Sequence, residues 1–274
     1  MSELAIKQPM YKSKFFHELN AVITILSRDI TIFFKSPGAI ISSFAMPIVM
    51  MGMLGGSLAQ NMASGLNFEY GPFMMVGMLV NMLFMTTTMG MSSLVEDRMT
   101  DFTQEMMISP ISRYSIVIGK IFGSSFGAII GMIGTLIVGL IMGITLEVHQ
   151  LLLILALSPL ICLSAGSIAI SIMGFARDSR TANIAVMLVT MPQMFLSGAI
   201  IPINNSSGVL YALSRIMPMT YSLDLVRAVV YAGTPEYENV ILFNPTISLI
   251  VIAALTIAGL GIGTFLFARS EKNR

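Results

Sequence analysis

Residues 121–146 read IFGSSFGAIIGMIGTLIVGLIMGITL, twenty-six positions without a single Asp, Glu, Lys or Arg. A helix rises about 1.5 Å per residue and needs about 20 residues to cross a hydrocarbon core of about 30 Å, so this stretch is long enough to span a bilayer. Five further runs share the property: 36–68, 70–95, 150–176, 181–214 and 239–268. None alternates as a membrane strand does, and backbone groups in lipid must be satisfied within their own segment. The sequence therefore predicts an all-α integral membrane protein, a single domain over 1–274, with six transmembrane helices at 39–60, 71–93, 115–143, 150–174, 183–203 and 246–268. Composition agrees, since 55% hydrophobic and 11% charged residues with a mean hydropathy of +0.84 exclude an ordinary water-soluble domain.

The cations are unevenly shared. Thirteen of the fifteen Lys and Arg fall in 1–35, 96–120, 177–180 and 269–274, and two in the segments between the other span ends. The positive-inside rule then predicts a multi-pass protein with both termini cytoplasmic. Lys7, Lys12 and Lys14 are followed by no small-residue cleavage site, so the first span is expected to direct insertion itself. A net charge of +1 implies no nucleic-acid partner. The lone Cys162 and the two histidines, His17 and His149, expected on opposite sides of the membrane, predict neither a disulfide framework nor a metal site. The 25 methionines read as adaptable packing and lipid-facing side chains.

The segments flanking the spans carry more information. Over 14–35, Phe15, Leu19, Val22, Leu26, Ile30 and Phe33 recur at helical spacing, with Lys14, His17, Thr24, Arg28, Thr31 and Lys35 opposite. This predicts an interfacial amphipathic helix, turned upright at Pro37-Gly38. At 97–110, Phe102, Met106 and Met107 form an apolar stripe beside Glu96, Asp97, Arg98 and Glu105, and Ser109-Pro110 ends what reads as a second amphipathic helix. The third span carries Gly119, Gly123, Gly127 and Gly131 at four-residue intervals, a face on which another helix can approach closely. Thr190, Pro192, Gln193, Ser197 and Gly198 make one half of the fifth span polar, expected to face helices or a water-lined path. Residues 205–232 are too apolar for a loop and too charged to span, which predicts two re-entrant helices with Asp224 and Arg227 paired one turn apart. No G-x-x-x-x-G-K-[ST] loop occurs, and the charge-free runs hold no nucleophile with a His or Lys partner. No catalytic, cofactor-binding or metal-ligating residue is therefore expected. An ion channel or a non-transporting assembly subunit is the alternative to transport.

Two motifs carry a family resemblance. Phe195-Leu196-Ser197-Gly198-Ala199-Ile200-Ile201-Pro202, then Pro218-Met219-Thr220-Tyr221-Ser222-Leu223-Asp224-Leu225-Val226-Arg227, resembles the C-terminal signature of type-2 ATP-binding-cassette (ABC) exporter permeases, F-x-S-G with a nearby proline and then N-P-x-x-Y-x-x-D-x-x-R. Met217 stands where that pattern has Asn. Asp97-Arg98, Phe102, Glu105-Met106-Met107, Pro110 and Gly119-Lys120 look like the family's coupling-helix region, with Asp101 and Thr103 where Gly and Leu are common. The resemblance covers essentially the whole chain and is closest to the daunorubicin and multidrug-resistance branch. It implies a permease subunit in a prokaryotic plasma membrane that exports a drug, antibiotic or other amphiphile. It also implies a separate ATPase subunit holding ATP and Mg, a second permease copy or related permease, and an ATPase contact made by Glu96, Asp97, Arg98, Phe102, Glu105, Met106 and Met107.

Overall fold

The structure is a computed structural model that describes residues 14–57, 61, 67–99, 111–176, 178–204 and 206–272. Among these, all regular structure is helical. Helix α1 (Lys14–Lys35) ends at Ser36, and α2 (Pro37–Val49) leaves at 79° to it. The sharp turn follows from Pro37, which lacks an N–H to continue α1 and fits the first position of a new helix. Past the internal Pro47, the chain widens into a π-helical segment, Met50–Gly55. Then come α3 (Tyr70–Gly90), α4 (Ser93–Met99), α5 (Arg113–Ile141), α6 (Val148–Met173), α7 (Ser179–Leu196), α8 (Gly208–Ile216), α9 (Pro218–Val230), the short α10 (Tyr237–Val240) and α11 (Pro245–Lys272).

Among the described residues, four stretches are long and apolar enough to cross a membrane: Tyr70–Asp97, Arg113–Ile141, Val148–Met173 and Tyr237–Phe267. The bent α1–α2 pair adds a fifth. Helix α7, eighteen residues including Arg180, Asn183, Thr190 and Gln193, is not among them.

Helix α3 is the axis of the bundle. In its most apolar stretch 78% of residues are buried, against 22% for the stretch ending in α11, because α3 is apolar on every side and packs against α5, α6, α7 and α9. Gly77 lets the backbone at Ala199 lie directly on α3, where a Cβ would overlap the Ala199 carbonyl. Outward faces keep large apolar side chains such as Leu140, Ile141, Leu152, Ile257 and Ile262 exposed, as a lipid-facing surface requires.

The glycine row of α5 receives α1. A Cβ at Gly119 would lie 3.2 Å from the Val22 Cα, one at Gly123 2.6 Å from the Asp29 carboxylate, and one at Gly127 3.0 Å from the Phe33 ring. Gly131 continues the row toward Met82 and the Ser43 carbonyl of α2. Helix α1 is therefore packed on protein along one face, and Leu19, on its apolar stripe, is exposed. A second row, unremarked in the sequence, joins α6 to α11: Gly259 meets Ser167 and Gly263 meets Ile170 and Ser171. Ser171 Oγ donates across this seam to the Gly259 carbonyl at 3.1 Å.

Cys162, the sole cysteine, is buried, so thiol-dye uptake on heating reports unfolding. Gly77→Ala is expected to lower the midpoint of that transition by the equivalent of about 1–3 kcal/mol, because the atom it meets is backbone. Gly52→Ala, with open space around it, is the control expected to leave the midpoint in place.

Candidate functional site

Two polar assemblies occupy opposite ends of the bundle. The first joins α1, α4 and α5. Lys120, read from the sequence as the end of a charged segment, lies two turns inside α5 with its side chain 2% exposed. Its Nζ donates to Asp29 Oδ1 and Asp97 Oδ2, each at 3.0 Å. Arg28 closes the network with a two-pronged contact to Asp97, Nη1 reaching Oδ2 at 3.1 Å and Nη2 reaching Oδ1. Two cations and two carboxylates thus neutralise one another where water is scarce, and charges so placed need every partner.

This geometry places two residues that the sequence singles out. Arg28 is turned toward Asp97 instead of standing on a solvated face. Asp97, expected to contact a partner protein, faces inward with its side chain 9% exposed. Glu96 is exposed. Phe102, Glu105, Met106, Met107 and the Arg98 side chain lie outside the described residues.

The same helix α1 reaches the far end of that stretch. Both carboxylate oxygens of Glu18 accept from the Ser112 backbone N–H at 3.0 Å. Ser112 is also the N-cap of α5, its hydroxyl accepting from the Tyr114 N–H at 3.3 Å. The side chains fastening Asp97 and Ser112 therefore stand ten residues apart on one helix.

The second assembly fixes the chain after α7. Gly198 adopts φ +82°, a left-handed conformation suited to glycine, and exposes its carbonyl to Arg227 Nη2 at 2.6 Å. The buried Arg227 guanidinium also lies 3.8 Å from the Phe73 ring centre. Tyr70 donates to the Ile200 carbonyl at 2.9 Å. Asp224 and Arg227, expected to pair, make no direct ion pair among the described residues. Asp224 instead accepts from the Leu242 and Phe243 N–H groups, at 3.1 and 2.8 Å, anchoring the turn into α11. These two donors satisfy the carboxylate of Asp224, which is itself fully buried and needs partners of its own.

Tyr221 donates to the Arg215 carbonyl at 2.7 Å, and Thr220 to the Ser214 carbonyl at 2.6 Å, folding α8 back on α9. Pro218 opens α9, and Met217 is extended, as a residue before proline prefers, with no side-chain cap. Pro202 lines a cleft of about 520 Å³ with Tyr211, Arg215 and Phe243. Thr190, Gln193 and Ser197 are buried between helices, with Gln193 Oε1 and Ser197 Oγ lacking a partner among the described residues. No group of three or more His, Cys, Asp or Glu is placed to hold a metal among the described residues.

Both assemblies hold helices in register, and together with the apolar exterior they define a polytopic helical membrane protein. Residues 20–231 match the ABC-2 type transporter family, and the chain belongs to that family as its membrane domain, not its ATPase domain. A stretch of 48 residues is 40% identical to nodulation protein J of Rhizobium meliloti (strain 1021), covering 18% of this chain and 18% of that protein.

Lys120→Met leaves Asp29 and Asp97 undercompensated and is expected to destabilise the protein by about 3–5 kcal/mol in the thiol-dye assay. The exposed Glu147–His149 pair, also at 3.0 Å, provides the contrast. His149→Gln is expected to leave the midpoint unmoved, since water already screens that contact.

Proposed function

We propose that this chain is the membrane-spanning permease subunit of an ATP-driven exporter, working with a separate ATPase subunit that binds ATP and Mg and with a second permease copy or a related permease. The carrying observation is the fastening of Asp97 and Ser112, on either side of the amphipathic stretch, to the same helix. A stretch held at both ends can take a load from outside and pass it into the bundle. In this reading ATP binding draws two ATPase subunits together, and their surface displaces the 97–110 helix. Phe102, Met106 and Met107 supply its apolar contacts, and Glu96, Arg98 and Glu105 set polar register, as when an amphipathic helix docks in a groove. Asp97 anchors this helix instead of touching the partner.

Displacement then travels along α3 and α5, which flank the stretch, and reorients a path between two permeases. Six crossings follow if α2 with its π-helical continuation is the first and α7 the fifth, with α8 and α9 re-entrant between the fifth and sixth. The cation distribution supports placing the ion-network end and both termini in the cytoplasm of a prokaryotic cell. A drug, antibiotic or other amphiphile is the preferred cargo, because the charge-free runs offer apolar, Met- and Gly-rich surfaces.

The chain co-expressed with a candidate ATPase and purified in mild detergent is expected to form a stable complex. Its ATP hydrolysis in liposomes should rise with amphiphilic drugs. Met106→Asp combined with Met107→Asp should insert normally and lower ATPase recruitment by about tenfold or more, the scale of losing an interface anchor. No recruitment by the unaltered chain, together with ion conductance from the chain alone, would contradict the proposal.

A further inference from the structure

The cleft at the end of the bundle opposite Asp97 holds charges that neither polar assembly uses. Its volume of about 520 Å³ is that of a small-ligand site. Phe68, two residues ahead of α3, and Phe243, two ahead of α11, both line it. The cleft therefore lies at the level where these helices begin their crossings, which is the depth of lipid headgroups. Helix α8 shows the same depth on its two faces. Tyr211, Ser214 and Arg215 line the cleft, whereas Val209 and Ile216, on the opposite side, are exposed, as in a helix lying at a membrane interface.

Two groups of opposite charge share this lining without pairing. The Arg215 guanidinium lies 4.1 Å from the Tyr211 ring centre and 5.2 Å from that of Phe243, and it makes no ion pair or hydrogen bond among the described residues. A guanidinium stacked on a ring keeps the N–H groups of its edge free for two oxygens of a phosphate. Glu238 is exposed and meets no cation among the described residues. Elsewhere in the lining, Asn204 Nδ2 donates to the Asn239 carbonyl, which fixes Oδ1 as the free end of that amide. This oxygen and Ser206 Oγ are both buried without a partner among the described residues, a cost that a ligand N–H would remove.

We propose that the cleft binds the headgroup of a zwitterionic phospholipid bearing a primary ammonium, with Arg215 holding the phosphodiester and Glu238, Asn204 Oδ1 and Ser206 Oγ receiving the ammonium. One cation and one carboxylate, unpaired with each other, complement a ligand that carries one charge of each sign. The three acceptors call for N–H groups, which a quaternary ammonium lacks. The Tyr211 ring face that would attract a quaternary ammonium is taken by Arg215. The exposed apolar face of α8 offers the acyl chains a surface beside the headgroup. This site belongs to the permease alone and does not depend on an ATPase.

Native mass spectrometry of the delipidated chain in mild detergent tests the site, by titration with phosphatidylethanolamine, phosphatidylcholine and phosphatidylglycerol of identical acyl chains. The ethanolamine lipid is expected to bind about tenfold more tightly than the other two, the scale of one charge-assisted hydrogen bond. Arg215→Gln should weaken all three by about tenfold, and Glu238→Gln should weaken the ethanolamine lipid alone. Arg180→Gln, at the exposed start of α7, should leave the preference unchanged. Free phosphoethanolamine, lacking acyl chains, should displace the lipid only at concentrations at least about tenfold higher. Equal binding of the three lipids by the unaltered chain would overturn the proposal. So would an undiminished ethanolamine preference in Glu238→Gln, or undiminished binding in Arg215→Gln. Displacement by phosphoethanolamine as readily as by the lipid would overturn the lipid as occupant. The thiol-dye midpoint without lipid shows whether each variant folds, and the unaltered chain decides the matter if one does not.

Discussion

The Asp97 carboxylate holds one end of the helix bundle together. It sits in α4, just beyond the central helix α3, and it is shared by the Arg28 guanidinium of α1 and the Lys120 ammonium of α5. Asp97 and Lys120 lose hydration worth several kcal/mol on burial, so neither is stable there alone, while the Arg28 side chain stays 31% exposed. The network exists only when α1, α4 and α5 are all in place, and it thereby specifies one register among helices whose apolar surfaces would tolerate several. The glycine row of α5 makes that register reachable, since a side chain at Gly123 would occupy the space of the Asp29 carboxylate.

The opposite end of the bundle solves a different problem. There the chain must turn back into the bundle between α7 and α11, and its backbone polar groups must be met without water. Arg227 and Tyr70 take the carbonyls of Gly198 and Ile200, and Asp224 takes the N–H groups of Leu242 and Phe243. Ionised side chains are used here to satisfy backbone, whereas the Asp97 network uses them on one another. The fastening of that network converges on one helix, α1.

The helical membrane fold was legible because the signal is long: runs of at least twenty-six uncharged residues admit few other readings. The bend at Pro37 was legible because a missing N–H acts locally. The helix received by Gly119, Gly123 and Gly127 was not, since spacing shows that a face is open and not which of several distant segments fills it. Lys120 fell inside the expected 115–143 helix, but its burial was not legible, since Asp29 and Asp97, which hold it, are distant in sequence. Asp224 and Arg227 misled because their spacing favours a local pair, while the competing donors at Leu242 and Phe243 lie eighteen and nineteen residues away. Gly259 and Gly263 carried the same four-residue signal as the α5 row and could have been found by it.

The central claim is that the stretch between α4 and α5 is where an ATPase engages the permease. A photo-crosslinking amino acid at position 106, activated in intact membranes, tests it most directly, with position 141 at the exposed far end of α5 as the comparison. The account predicts a crosslink from position 106 to an ATP-binding polypeptide and none to it from position 141. Crosslinks from position 106 to lipid alone, in membranes where the chain exports its cargo, would contradict it.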